Sequence, residues 1–399
     1  MIGNAFRAGV FRLPGVLLLF AFKFSQELRM LHKALVLVFA VASIASCISC
    51  GKTANHYVYA TLPAANQLLA YREDPNSGVL IEIAGSPYPV GDGAHSVVLH
   101  PSGKFLYVSN PGQLEDDISL FLIATDGSLT EVTPRTSIGP NASQPQLLAI
   151  DPAGAFLYVM NTGSNNISVF SIDSSSGTLA QVANSPVQIG LPPLNMQLTP
   201  SGNYLYVTTG GNPDGFIFGY SVSAGVLTPL PFPNPISSDG INPNGLAIDP
   251  SGSFLYAANT SSPSISIFAI GASGTPPGSL SPVTGSPLAD TYAAPIALTL
   301  DPKGTVLYVA NQGSNNVAVY SISSSTGLPT VLTSSTNTGA FFTEGSPSFL
   351  VTDPSGKYLL VGNQGSSAGI QAFSVGSDSL TAIHTYPVGN TPTSIVVLK

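Results

Sequence analysis

A tight turn with proline in second place and glycine in fourth returns through most of this chain at nearly even intervals. The prolines are Pro101, Pro152, Pro200, Pro250, Pro302 and Pro354, spaced 51, 48, 50, 52 and 52 residues apart. Self-similarity at such a period belongs to architectures built from repeated supersecondary units, and it outranks the other constraints on the fold. Leu147-Leu-Ala-Ile-Asp-Pro-Ala-Gly and Ile296-Ala-Leu-Thr-Leu-Asp-Pro-Lys-Gly show the local logic. An apolar strand ends in Asp, whose side chain bonds back to the backbone. Pro then presets φ, and Gly completes a type I turn into the next strand.

That next strand reads Phe105-Leu-Tyr-Val, Phe156-Leu-Tyr-Val, Tyr204-Leu-Tyr-Val, Phe254-Leu-Tyr-Ala, Val306-Leu-Tyr-Val and Tyr358-Leu-Leu-Val. None of these alternates apolar with polar, so both faces must be covered, as they are when one sheet stacks between two others. A third strand follows as Ile118-Ser-Leu-Phe, Ile167-Ser-Val-Phe, Ile265-Ser-Ile-Phe, Val317-Ala-Val-Tyr and Ile370-Gln-Ala-Phe. A weaker fourth follows that, as in Leu179-Ala-Gln-Val and Leu380-Thr-Ala-Ile. Four strands per unit, here a to d, make a propeller blade. The ends supply the last one. Tyr57-Val-Tyr-Ala, Leu68-Leu-Ala-Tyr and Val79-Leu-Ile-Glu-Ile give b, c and d without an a, and Pro392-Thr-Ser-Ile-Val-Val-Leu gives an a with nothing after it. The expectation is an all-β, seven-bladed β-propeller over 56–399, of four antiparallel strands per blade, closed by joining both termini in one blade. Closure removes the open edges that invite aggregation.

Residues 1–55 follow a different plan. Met30-Leu-His-Lys, the apolar run Ala34 to Ala45, and Ile44-Ala45-Ser46-Cys47 read as a signal segment over 30–47 with a lipobox, whose Cys47 takes the lipid. Residues 48–55 are then a tether. Residues 1–29, with a second apolar run from Gly15 to Phe24, are an upstream extension, and Met30 reads as the start. Cys47 and Cys50 sit at the cleavage site and outside any βαβ pattern, so their spacing carries no redox or metal role. The expected destination is the periplasm or cell surface, with membrane contact only through the lipid.

After Cys47 the chain carries a net charge of −12. Such a domain repels nucleic acid and anionic membrane surfaces. Phosphorylated ligands fit poorly too, because phosphate wants converging Arg or Lys. Only Arg72, Arg135 and five lysines follow Cys47, and Lys104, Lys303 and Lys357 belong to the a–b turns. His56, His95, His100 and His384 show no metal-ligand spacing, so neither metal nor cofactor is expected. Gly365-Ser366-Ser367-Ala368-Gly369 matches the nucleophile-elbow pattern, but it falls in a b–c loop instead of a strand-to-helix turn and reads as a loop.

The unit Asp-Pro-Ser-Gly, then Leu307-Tyr-Val-Ala-Asn-Gln-Gly-Ser-Asn-Asn, then a Val/Ile-x-Val-Phe/Tyr strand resembles the lactonase-type seven-bladed propellers, which include 6-phosphogluconolactonase. It also resembles the extracellular propellers of Tyr-Val-Thr-Asn repeats. The resemblance implies a ligand face made of the d–a and b–c loops, with the a–b turns opposite. It further implies Pro-Arg-His or Pro-His-His at the head of strand a and Asn-Glu at the end of strand b. Here the comparable histidine is His95, with Ser96 in the usual His place, and Asn110, Asn161, Asn259, Asn311 and Asn363 are followed by Pro, Thr, Thr, Gln and Gln.

On that face the heads of strand a carry His95, Gln146, Asn195, Asn244, Ile296, Ser348 and Thr393. Such a neutral polar rim can hydrogen-bond a carbohydrate-like small molecule or meet a surface protein, and the first reading is a monomeric surface module that binds through it. The alternative is a hydrolase of an unphosphorylated sugar lactone with His95 as general base, steered by an acid such as Glu115 or Asp116. A purely structural surface module is the third reading.

Overall fold

The computed structural model describes residues 56–112, 116–231, 233–333, 338–377 and 379–398. The signal segment, Cys47, the tether and Glu115 lie outside the described residues. Seven antiparallel sheets make up the described chain, each following the order a, b, c, d. Blade 3 is typical, with Pro145–Ile150, Phe156–Asn161, Asn166–Ile172 and Leu179–Gln181 as its four strands. In five blades strand d is split, so that a two- or three-residue piece such as Val187–Gln188 also pairs with c. Blades 2 and 7 keep d whole, as Leu129–Ser137 and Leu380–Pro387. The seven a strands touch one another in sequence and close a ring. The closure joins the ends as expected: Ser394–Leu398 pairs antiparallel with His56–Leu62, so blade 1 takes its innermost strand from the C-terminus.

The hydrophobic core is divided by the same geometry. Each buried cluster lies between two neighbouring blades, for example Tyr59, Leu68 and Ala70 of blade 1 against Leu106, Val108 and Phe121 of blade 2. Others join blades 2 and 3 through Tyr107 and Leu157, and blades 7 and 1 through Leu360, Ala60 and Ile395. Burying one such side chain is worth about 1.5–3 kcal/mol, so both faces of every b strand contribute.

The turn chemistry is as the sequence indicates. Gly154 N donates to Asp151 O (2.9 Å), and Phe156 N donates to Asp151 Oδ1 (2.7 Å); Asp249, Asp301 and Asp353 repeat both bonds. In blade 2 His100 replaces the Asp, and its Nε2 bonds Gly154 O at 2.9 Å.

A second repeated device was not anticipated. The central Tyr of strand b reaches into the next blade and donates to the carbonyl of the glycine in its c–d turn: Tyr59 to Gly127, Tyr107 to Gly177, Tyr206 to Gly278 and Tyr256 to Gly327, at 2.6–2.9 Å. The aromatic residue two places earlier covers the same glycine. A Cβ on Gly177 would stand 2.7 Å from the Phe105 ring, and its φ is +75°. Phe-Leu-Tyr-Val thus specifies an inter-blade latch as well as a doubly buried strand. Tyr158 departs from the pattern, with a buried hydroxyl that has no partner, and blade 7 carries Leu360 in this place. The facing c–d connection of blade 4 is a two-residue turn, Ala224-Gly225, both at positive φ, and it leaves its carbonyl out of reach.

Candidate functional site

The face of the b–c and d–a loops is shaped by a bulge at the head of strand a. In blade 3 Pro145 pairs with Asn161 but Leu147 pairs with Met160, so Gln146 is the extra residue. The same shift singles out Leu194, Asn244, Ile296 and Ser348 in blades 4 to 7. His95 and Thr393 follow Ala94 and Pro392 in the corresponding places of blades 2 and 1. Each of the seven is half-buried and follows a buried residue. A bulge re-aims a side chain, which is why bulges gather beside functional sites. The register corrects one assignment: Leu194, not Asn195, holds the blade 4 place, directly after Pro193 as Gln146 is directly after Pro145.

Most of the polar groups here bond the main chain of the next blade. Thr393 Oγ1 donates to His95 O (2.7 Å) and Asn195 Nδ2 to Asn244 O (2.7 Å), while Ser348 Oγ is shared between Gly362 O of its own blade (3.1 Å) and Pro392 O of the next (3.3 Å). Asn244 Nδ2 donates to Thr260 Oγ1 (2.8 Å), which donates to Pro295 O (2.7 Å). Thr61 Oγ1 also donates to His95 O, at 2.8 Å. Thr61, within strand b of blade 1, and Thr260, just after strand b of blade 5, carry no mark in the sequence that sets them apart from other threonines. The Asn residues at the end of strand b are buried and turn their Nδ2 groups to strand c, as Asn161 does to Asn166 Oδ1 (2.8 Å) and Ser168 Oγ (2.9 Å).

His95 differs from its neighbours in keeping chemistry to spare. Its Nδ1 lies 2.9 Å from Gln146 O, a partner that can only accept, so Nδ1 carries the proton and Nε2 the lone pair. Burial pushes its pKa below the usual imidazole value, against the opposing pull of the Gln146 carbonyl. The ring is therefore neutral at pH 7 in the tautomer a general base requires. Its orientation comes from a carbonyl of blade 3 and not from an acid: among the described residues His95 forms no ion pair, Asp116 included.

The loops of this face carry acids, among them Asp92, Asp239, Asp290 and Glu344, and no lysine or arginine. Burial raises the pKa of Asp290, whose Oδ1 accepts from Tyr320 (3.1 Å). A cleft of about 370 Å³ at the rim of blade 7 is lined by Glu344, the Gly365–Ala368 loop, Thr385, Pro387 and Gly389. Ser367 thus sits beside a carboxylate, but no histidine lines the cleft, so the Gly-x-Ser-x-Gly pattern lacks the base that makes a nucleophile.

Comparison with known proteins bears on the same framework. A family described as "Lactonase, 7-bladed beta-propeller" matches residues 52–192, 194–285 and 279–397. A 6-phosphogluconolactonase of Formosa agariphila is 39% identical over 108 residues, 26% of this chain and 30% of that protein. One of Bacillus subtilis is 31% identical over 137 residues, 33% of this chain and 38% of that protein. These alignments span well under half of either relative. Among solved structures, a protein from Lactobacillus plantarum superposes with TM-score 0.71 at 19% identity, covering 86% of this chain and 99% of its own. The Pseudomonas aeruginosa periplasmic gluconolactonase superposes with TM-score 0.66 at 19% identity, covering 86% and 99%. At such identities the superpositions establish the fold alone. With seven closed blades and a family match running from residue 52 to residue 397, the chain belongs to the seven-bladed β-propeller lactonase family.

Proposed function

We propose that this protein is a hydrolase of an unphosphorylated sugar lactone, acting outside the cytoplasm, with His95 as general base. The observation that carries the reading is the fixed tautomer of His95, a neutral imidazole with its Nε2 lone pair uncommitted on the face where the a-strand bulges converge. In the reaction Nε2 takes a proton from water, and the resulting hydroxide adds to the lactone carbonyl. The C–O bond to the ring oxygen then breaks, and the proton held on Nε2 passes to that oxygen, so one water is consumed and one hydroxy acid released. The Gln146 side-chain amide, in the equivalent bulge of the next blade, is the donor proposed for the developing oxyanion. A neutral substrate follows from loops that carry acids and no Lys or Arg. Its ring hydroxyls are proposed to donate to the side-chain oxygens of Asn244, Ser348 and Thr393, whose own donor groups are already bonded within the protein.

The extracytoplasmic setting rests on the signal segment ending at Cys47 and matches the periplasmic placement given for the Pseudomonas protein. A pH-stat assay of the full chain on a panel of neutral aldonolactones tests the reading. We expect acid release above the spontaneous rate, falling about 10²–10⁴-fold in His95→Ala. Saturable binding without turnover would instead return the chain to the surface-binding module.

A further inference from the structure

We propose that His56, Glu73 and Asp353 form a zinc site that fastens blade 7 to blade 1, on the face opposite the catalytic loops. Glu73 is a substitution within the internal repeat. It pairs with His56 across strands b and c, and the corresponding places in blades 2 to 7 hold Ile123, Ile172, Val222, Ile270, Ile322 and Val375. Six interfaces therefore fill this slot with an aliphatic side chain, while the seam fills it with a carboxylate that is 0% exposed. A buried carboxylate in an aliphatic slot is costly unless a cation answers it or it takes up a proton. Among the described residues no lysine or arginine pairs with Glu73 or Asp353.

The geometry suits a metal ion. His56 Nδ1 is 3.1 Å from Glu73 Oε2 and 3.6 Å from Asp353 Oδ2, and one ligand atom from each residue lies within 4.8 Å of the others. Zinc bonds of about 2.0–2.2 Å in a tetrahedron set neighbouring donors roughly 3.3 Å apart, between the two observed separations. Glu73 Oε1 is buried without a partner. The Glu73 carboxylate therefore lacks a full set of donors unless a cation stands beside it, and a solvent molecule would complete the tetrahedron. Asp353, also 0% exposed, is oriented for the role by its own turn: Ser355 N and Oγ donate to Oδ2 at 2.9 and 2.5 Å, and Tyr358 N to Oδ1 at 2.7 Å. An imidazole with two carboxylates is a donor set that zinc accepts readily and calcium or magnesium does not.

The test is to strip the full chain with chelator, add zinc, dialyse, and read bound metal by elemental analysis and the unfolding midpoint by calorimetry. We expect wild type to retain one zinc more than Glu73→Gln, and its midpoint to rise with zinc while that of Glu73→Gln stays still. The difference between the two chains removes any contribution from Cys47 and Cys50. Cobalt in place of zinc should give tetrahedral visible absorption that His56→Ala and Asp353→Asn lose, a readout available even if one variant folds poorly. Equal zinc in wild type and Glu73→Gln, or a wild-type midpoint indifferent to zinc, overturns the site and leaves a proton shared between His56 and the carboxylates as the compensating charge.

Discussion

Two tyrosines in the same place of adjacent blades should respond oppositely to loss of their hydroxyl. Tyr206 Oη donates to Gly278 O at 2.6 Å in the fully buried interface of blades 4 and 5, whereas Tyr158 Oη is buried between blades 3 and 4 with no partner. In Tyr206→Phe the ring still packs, so the loss is the hydrogen bond and the satisfaction of the carbonyl, about 1–2 kcal/mol. In Tyr158→Phe the deleted group is one whose unpaired burial costs about 1–3 kcal/mol, so the variant should match or exceed wild type. With an unfolding entropy of about 2.1 cal/mol/K per residue over roughly 340 residues, 1–2 kcal/mol moves Tm by about 1.5–3 °C. Calorimetry on the two variants and wild type resolves that difference. Equal losses in both would refute the argument, because they would make the hydroxyl a packing group and not a latch.

Other expectations follow from the same geometry. Removing Ser394–Lys399 takes away the inner strand of blade 1 and the buried Ile395, and should lower Tm by far more than either tyrosine variant; an unchanged melting curve rejects closure by the two termini. Gly177→Ala puts a side chain at φ +75° and 2.7 Å from Phe105, so urea unfolding should show a loss of about 2–4 kcal/mol, part conformational and part steric. Because burial lowers the His95 pKa, the base stays unprotonated below the ordinary imidazole value: kcat/KM should hold as pH falls through 6.5 and drop only at lower pH, as a pH–rate profile will show. The same shift means the unfolded chain binds its proton first, so the His95 contribution to stability is present above pH 6.5 and is lost as pH falls below it.

The blade count, the strand order and the closure were legible because they are written in local signals. Pro-x-Gly turns fix where a meets b, and a strand apolar on both faces can only lie between two sheets. The latch was hidden in plain view: Tyr107 reads as core until its hydroxyl is found on Gly177 O, 70 residues away. At the candidate site, His95 stood out by residue type, but its tautomer depends on a carbonyl of the neighbouring blade that no spacing reveals. Asn195 lies one residue beyond the blade 4 bulge: Leu194 is the residue that directly follows Pro193, and the ladder makes it the unpaired one. The cluster of His56, Glu73 and Asp353 lay beyond sequence reasoning altogether. Its members are 17 and nearly 300 residues apart, and ring closure alone brings them together.

The catalytic role of His95 is tested most directly by kcat/KM for a neutral sugar lactone and for the same lactone carrying a 6-phosphate, measured side by side on the full chain with spontaneous hydrolysis subtracted. Loops that hold acids without Lys or Arg should favour the neutral lactone and discriminate against the phosphate. Preference for the phosphorylated lactone, or turnover of neither, would contradict it.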